Sequence, residues 1–259
     1  MILEKSKVEI TEDFIRILEI LRRYAKGKDE KAVIKFLINY LEEGKMLEED
    51  IIPISKKIFE VAKKVADHDL RKEIKYILFE SSKKLKRSER EKINKIIDIL
   101  EYLKNYIDKK PFKSEEDYYL LTVINFKIER LASNIVTSIE AEIRDVVMLS
   151  LKIGGNELKK EVELLLLGRK RRKVNEKFLE TKRLLIETLE MIKEEISKKE
   201  YLSSIDYETL FLINLKIFRL EENIIRNINE EFNSLLSLAR KVGNYRMREK
   251  INMIKESLR

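Results

Sequence analysis

The sequence predicts an all-α protein, an elongated antiparallel bundle or array of long helices, and three observations carry that prediction. Breakers are scarce, with 6 Gly and 2 Pro in 259 residues, too little punctuation for a strand-and-turn fold. The composition is that of amphipathic helices, 44% hydrophobic and 39% charged. The chain also matches itself when slid by 89 residues: Ser114 to Gly154 overlies Ser203 to Gly243 without a gap, and seventeen of the forty-one positions are identical.

Gly27, Gly44, Pro53, Pro111, Gly154, Gly155, Gly168 and Gly243 divide the chain into stretches with apolar residues three and four apart. Helices are therefore expected at about 11–26, 29–43, 50–66, 69–109, 114–153, 156–199, 204–242 and 244–258. The stretch from 114 opens on Ser114, an N-cap residue followed by Glu115, Glu116 and Asp117, and closes at Gly154. At 1.5 Å per residue it would reach roughly 60 Å, a length suited to bundle packing. Its seam is Leu121, Ile124, Ile128, Leu131 and Ile135.

The identities at the 89-residue offset include polar and breaker positions as well as apolar ones: Asp117/Asp206, Asn125/Asn214, Lys127/Lys216, Arg130/Arg219, Asn134/Asn223 and Gly154/Gly243. Amphipathic periodicity alone would match only the apolar ones. A fainter copy aligns Val65–Ile74 with Ile153–Val162 and Ile38-Asn39 with Ile124-Asn125. Three units of roughly 88 residues are expected, over 1–87, 88–173 and 174–259, or one continuous bundle if the helices run through the junctions. Gly44 and Pro53 would break in the first unit what is one long helix in the other two.

The absence of Cys excludes disulfides, thiolate metal sites and cysteine nucleophiles. With no other His, His68 in Asp67-His68-Asp69 cannot build a zinc site with His and Cys ligands, and an exposed turn residue is the plainer reading. There is no Gly-rich phosphate loop and no Gly-x-Ser-x-Gly elbow. These absences place an enzyme last among the classes, with no cofactor and no metal expected. No apolar run approaches the roughly 18 residues needed to span a bilayer, so a cytoplasmic protein is expected. The absence of Gln and Trp beside heavy use of Ile, Lys and Glu resembles thermophile composition.

Lys and Arg number 55 against 47 Asp and Glu, a formal charge of +8 with a pI near 9.2. The excess gathers at the two expected junctions: Arg169, Lys170, Arg171, Arg172 and Lys173 in one, Lys83, Lys84, Lys86 and Arg87 in the other. Such runs can neutralise phosphates of a nucleic acid, or serve only as solvated segments. A second candidate is the repeated polar stripe Lys127, Arg130, Asn134 and Lys216, Arg219, Asn223, whose steps of three and four place each trio on one helical face. It would meet a partner or fix helix register from within. The sequence thus points to a scaffold or adaptor with a protein partner, nucleic acid being the alternative and self-association compatible with either.

Overall fold

The computed structural model describes residues 6–168, 176–225, 227–243 and 245–257. Among the described residues there are eleven α-helices, one short 3₁₀ turn and no strand. The helices are α1 (Lys7–Tyr24), α2 (Lys28–Glu42), α3 (Ile51–Val65), α4 (His68–Phe79), α5 (Arg87–Asp108), α6 (Glu115–Ala132), α7 (Ile139–Leu167), α8 (Glu176–Ser197), α9 (Ser204–Glu221), α10 (Ile228–Val242) and α11 (Tyr245–Ser257). None of them is long and apolar enough to cross a membrane.

Local chemistry sets the helix starts. Ser6 caps α1 through a reciprocal box with Glu9, and the Asp67 carboxylate accepts the Asp69 and Leu70 amides at the head of α4. Ser114 and Asp117 bond to each other's backbone amides at the start of α6, as Ser203 and Asp206 do at the start of α9. In both boxes a lysine reaches the aspartate from seven residues upstream, Lys110 at 2.6 Å and Lys199 at 2.5 Å. Burial pushes each of these aspartates up, but the lysine and the serine bonds outweigh it and hold both below the usual carboxylate range.

The helices near 40 residues long are not found, because each expected long helix is two. The 114–153 stretch divides into α6 and the first part of α7, and 204–242 into α9 and α10. The breakers are Asn134 and Asn223, with φ of 57° and 58°. Asparagine enters this left-handed region more readily than other non-glycine residues, and here it ends each helix. The Ile135 amide reaches back to the Arg130 carbonyl at 3.0 Å, as the Ile224 amide does to the Arg219 carbonyl at 3.1 Å, a closure that satisfies carbonyls left open by the helix end.

The 69–109 stretch divides at residues 80–86, where the Lys83 amide leaves the helical pattern to donate to the Asn134 carbonyl at 2.9 Å. The chain is thus not helical through that junction. In 156–199, α7 ends at Leu167, with Gly168 outside the helix, and α8 covers Glu176–Ser197. The break between α2 and α3 is therefore no exception, since α6 and α9 also end before the next helix begins. Pro53 does not break the chain either; it sits in the first turn of α3, where its missing amide has no bond to make. At Gly154 and Gly155 the helical path of α7 is interrupted, Gly155 taking φ 70° and ψ −162°, which only glycine adopts freely.

Two compact units share the chain, Met1–Glu101 with Tyr118–Glu142, and Tyr102–Asp117 with Ile143–Arg259. In the first, α1 packs on α2 and α3, and α3 on α4, around Phe14, Ile17, Leu18, Ile34, Ile58 and Ile74, all inaccessible to solvent. In the second, α8 packs on α9 and α10, and α10 on α11, around Val162, Ile192, Ile213, Phe232 and Ile251. The bounds keep a common spacing: α8 and α9 begin and end 89 residues after α5 and α6, and α10 begins 89 after α7.

Candidate functional site

Each unit buries one arginine between two glutamates. In the first unit, Arg130 on α6 is fully inaccessible. Its Nη1 and Nη2 donate to the two carboxylate oxygens of Glu142 on α7, both at 2.8 Å. Its Nε donates to Oε2 of Glu73 on α4 at 2.6 Å, and Nη1 also reaches the Ile135 carbonyl at 2.6 Å. Lys127, one turn earlier on α6, lies 2.8 Å from Glu73 and 3.0 Å from Glu142. The Tyr76 ring sits with its centroid 4.8 Å from the guanidinium carbon, within cation–π range, and the Thr137 hydroxyl donates to Glu142 at 3.1 Å.

The second unit repeats the arrangement 89 residues on. Arg219 on α9 donates from Nη1 and Nη2 to Glu231 on α10, at 2.7 and 2.6 Å. Its Nε donates to Glu161 on α7 at 2.7 Å, and Nη1 to the Ile224 carbonyl at 2.7 Å. Lys216 meets Glu161 at 2.5 Å.

Ions are driven into such sites only when every charge is matched, since an unpaired buried charge costs several kcal/mol. The planar fork of arginine suits it to bridging two carboxylates. Burial alone would push the Glu142 carboxyl up; hydrogen bonds and charge from Arg130 and Lys127 outweigh it and hold the carboxyl at about 2. Glu161 is lowered in the same way, burial opposing the charges of Lys216 and Arg219. On Arg130 burial works to release the proton, and Glu142 with Glu73 more than offsets it, raising the guanidinium above its ordinary value. A carboxylate held at about 2 and occupied by Arg130, Lys127 and Thr137 is no general base near neutral pH. Among the described residues no three His, Asp or Glu side chains are grouped to hold a metal ion.

The chain is 54% identical, over 260 residues and the whole of both chains, to "Uncharacterized protein MJ0602" of Methanocaldococcus jannaschii. It belongs to that protein's family. No family model matches the chain, and no solved structure does.

Of the residues that sequence pattern put forward in this family member, Lys127, Arg130, Lys216 and Arg219 come together with acids inside their units, while Asn134 and Asn223 make the turns that follow. The four glutamates were not singled out by sequence. Glu142 and Glu231 are identical at the 89-residue offset, and Glu73 and Glu161 align in the fainter copy, so the signal was present among 47 acids.

The cations of the first junction scatter. Lys83 spends its Nζ on the Thr137 carbonyl at 2.9 Å, Arg87 pairs with Glu91 on its own helix, and Lys84 and Lys86 are exposed. Arg169, Lys170, Arg171, Arg172 and Lys173 lie outside the described residues. His68 is exposed in the first turn of α4 beside Asp69.

Proposed function

We propose that the protein is a non-enzymatic helical scaffold that binds a macromolecular partner, built from three copies of a four-helix motif with each ion cluster locking one copy to the next. The copies are α1–α4; α5, α6 and the two halves of α7; and α8–α11. One observation carries this reading: each buried arginine takes one glutamate from the third helix of its own copy and one from the fourth helix of the copy before, Glu73 for Arg130 and Glu161 for Arg219.

The first copy fits the same logic. At the positions of Lys127 and Arg130 it has Leu41 and Gly44, and Ile54 stands 88 residues before Glu142, so the first copy has no counterpart of the cluster. Charge used in this way builds rigidity and leaves the outer faces for recognition. The reading expects no turnover when purified protein is screened against hydrolase, transferase and oxidoreductase substrates, and a stoichiometric complex on crosslinking in extracts of the source cells. A turnover that disappears when one residue is changed would overturn it.

Nucleic-acid binding is the second reading, supported by the net charge and by the exposed Lys84, Lys86 and Arg87. Duplex and single-stranded DNA and RNA should then bind with an affinity that falls steeply with salt, less steeply once these three and Arg169–Lys173 are neutralised. Absence of binding at about 50 mM salt removes this reading.

A further inference from the structure

Phe36, Thr122 and Phe211 hold one position in the three copies, each standing two residues before an Ile-Asn pair (Ile38-Asn39, Ile124-Asn125, Ile213-Asn214). The inward residues around them match: Leu37, Ile38 and Leu41 are buried, as are Val123, Ile124 and Lys127, and Leu212, Ile213 and Lys216. In the second and third copies a helix of the copy before covers this position. The Thr122 hydroxyl lies 3.0 Å from the Tyr24 hydroxyl of α1, and the Tyr24 ring meets Tyr119 edge-on at 5.4 Å. The Phe211 ring lies 4.3 Å from Tyr102 and 4.2 Å from Tyr106 of α5, and the Tyr102 hydroxyl donates to the Phe211 carbonyl at 3.0 Å.

In the first copy the described residues leave the position open. Phe36 is 69% exposed, at the edge of a groove of about 580 Å³ between α2 and α3 that Val33, Leu37, Pro53 and Ile54 also line. An exposed phenylalanine over an apolar floor marks an interaction surface. At Phe211, the aromatic one of the two covered positions, the chain itself shows what fits, namely a helix with tyrosines four residues apart, which share one face. In a second copy of the chain the aromatic pairs with this spacing on α2 and α5 are engaged: Tyr40, four residues after Phe36, spends its hydroxyl on Asp50 at 2.9 Å. Tyr102 and Tyr106 are taken by Phe211, and 89 residues later stand Met191 and Glu195.

We propose that the groove between α2 and α3 docks an amphipathic helix of a partner protein, one that presents two aromatic residues four positions apart. The inference rests on the three-copy reading, which supplies the equivalence of Phe36 and Phe211. It places the scaffold's partner in the helix-in-groove class of recognition.

The probe is a fluorescein-labelled peptide of residues 87–108, titrated with the full chain and followed by anisotropy. Saturable binding in the range of roughly 1–100 µM is expected, weakened roughly ten-fold or more by Phe36→Glu. Loss of Tyr102 and Tyr106 from the peptide should abolish it. Met148→Glu, at an exposed position of the second unit, should leave it unchanged. No saturable binding, or binding indifferent to Phe36→Glu, overturns the proposal. Concentration-dependent dimerisation that Phe36→Glu removes would assign the groove to a second copy and overturn it as well. The outcomes separate from those of the scaffold reading: a specific turnover overturns that reading whether or not the peptide binds, and failure of the peptide leaves it standing.

Discussion

The two ion clusters share a plan and differ in enclosure. Around Arg130 the charged partners are sealed, Glu142 at 0%, Glu73 at 1% and Lys127 at 2% exposure, with the Tyr76 ring against the guanidinium. Around Arg219 the arginine is as deep, but Glu161, Glu231 and Lys216 are each 6% exposed and line a cleft of about 330 Å³ with Glu157, Lys160 and Ser234. Leu164 stands 88 residues after Tyr76, so the ring has no counterpart there. What both keep is the arginine clamped by two acids and one turn carbonyl. The bridging geometry is thus the requirement, and enclosure sets how severely a defect is felt, because charges in contact with water are better screened.

Removing the arginine tests this most sharply. Arg130→Ala would leave the buried Glu73 and Glu142 with Lys127 as the cation between them and should cost about 3–5 kcal/mol; Arg219→Ala should cost less, since its acids border a cleft. Urea unfolding of both variants decides it, and a larger loss at Arg219 would break the comparison.

Acid is the next lever. Glu142 titrates at about 2 in the folded chain against an ordinary 4.5, so its contribution is fully present above about pH 4.5 and is lost as pH falls through about 2, on the order of 3 kcal/mol in all. Glu161, also lowered, adds a contribution of the same sign. Unfolding followed between pH 5 and pH 2 should show the fall, and it should survive in Arg219→Ala, where Glu142 keeps its partners.

Replacing the whole first cluster should do less harm than removing one member. Lys127→Leu, Arg130→Met, Glu73→Leu and Glu142→Ile together should lie within about 2 kcal/mol of the parent, since apolar residues can substitute for a complete buried ion network. On the proposed three-copy reading, Leu41 and Ile54 already occupy two of the equivalent positions. A combined loss exceeding that of Arg130→Ala would show that the ions also specify the packing.

The smallest effect is expected at the turns. Asn134→Ala and Asn223→Ala should each cost about 1 kcal/mol, because alanine resists the left-handed region, whereas the glycine variants should stay near the parent. Thermal melts of the four variants measure it; a somewhat larger loss is expected at Asn223, whose Oδ1 also accepts from Lys182 Nζ at 2.9 Å, and a larger loss at Asn134 would show that enclosure reaches the turns as well.

Much of this was legible in sequence, though not evenly. Ser114 announced its helix start because a capping serine acts within three residues. Helical content followed from periodicity and from the scarcity of Gly and Pro. The ends at Ala132 and Glu221 are not legible in the pattern, because the residue that makes each turn is an asparagine, which fits a polar helical face equally well. Lys127 and Arg130 were visible as repeated cations, but a repeated charge looks alike on a surface and in a core until its counter-charges are found. Those counter-charges came from other helices, Glu73 standing 57 residues from Arg130, a separation that helical periodicity does not report.

The partners of Arg130 also impose an order of events as the chain folds. The Ile135 carbonyl is 5 residues away, Glu142 is 12, and Glu73 is 57. Closing the longer loop costs about 1.4 kcal/mol more than closing the 12-residue one, on the logarithmic scaling of loop entropy. The turn and the α6–α7 hairpin should therefore form first and hold the guanidinium half-coordinated until α4 arrives. Substitutions at Glu142 would then slow folding, and substitutions at Glu73 would chiefly hasten unfolding.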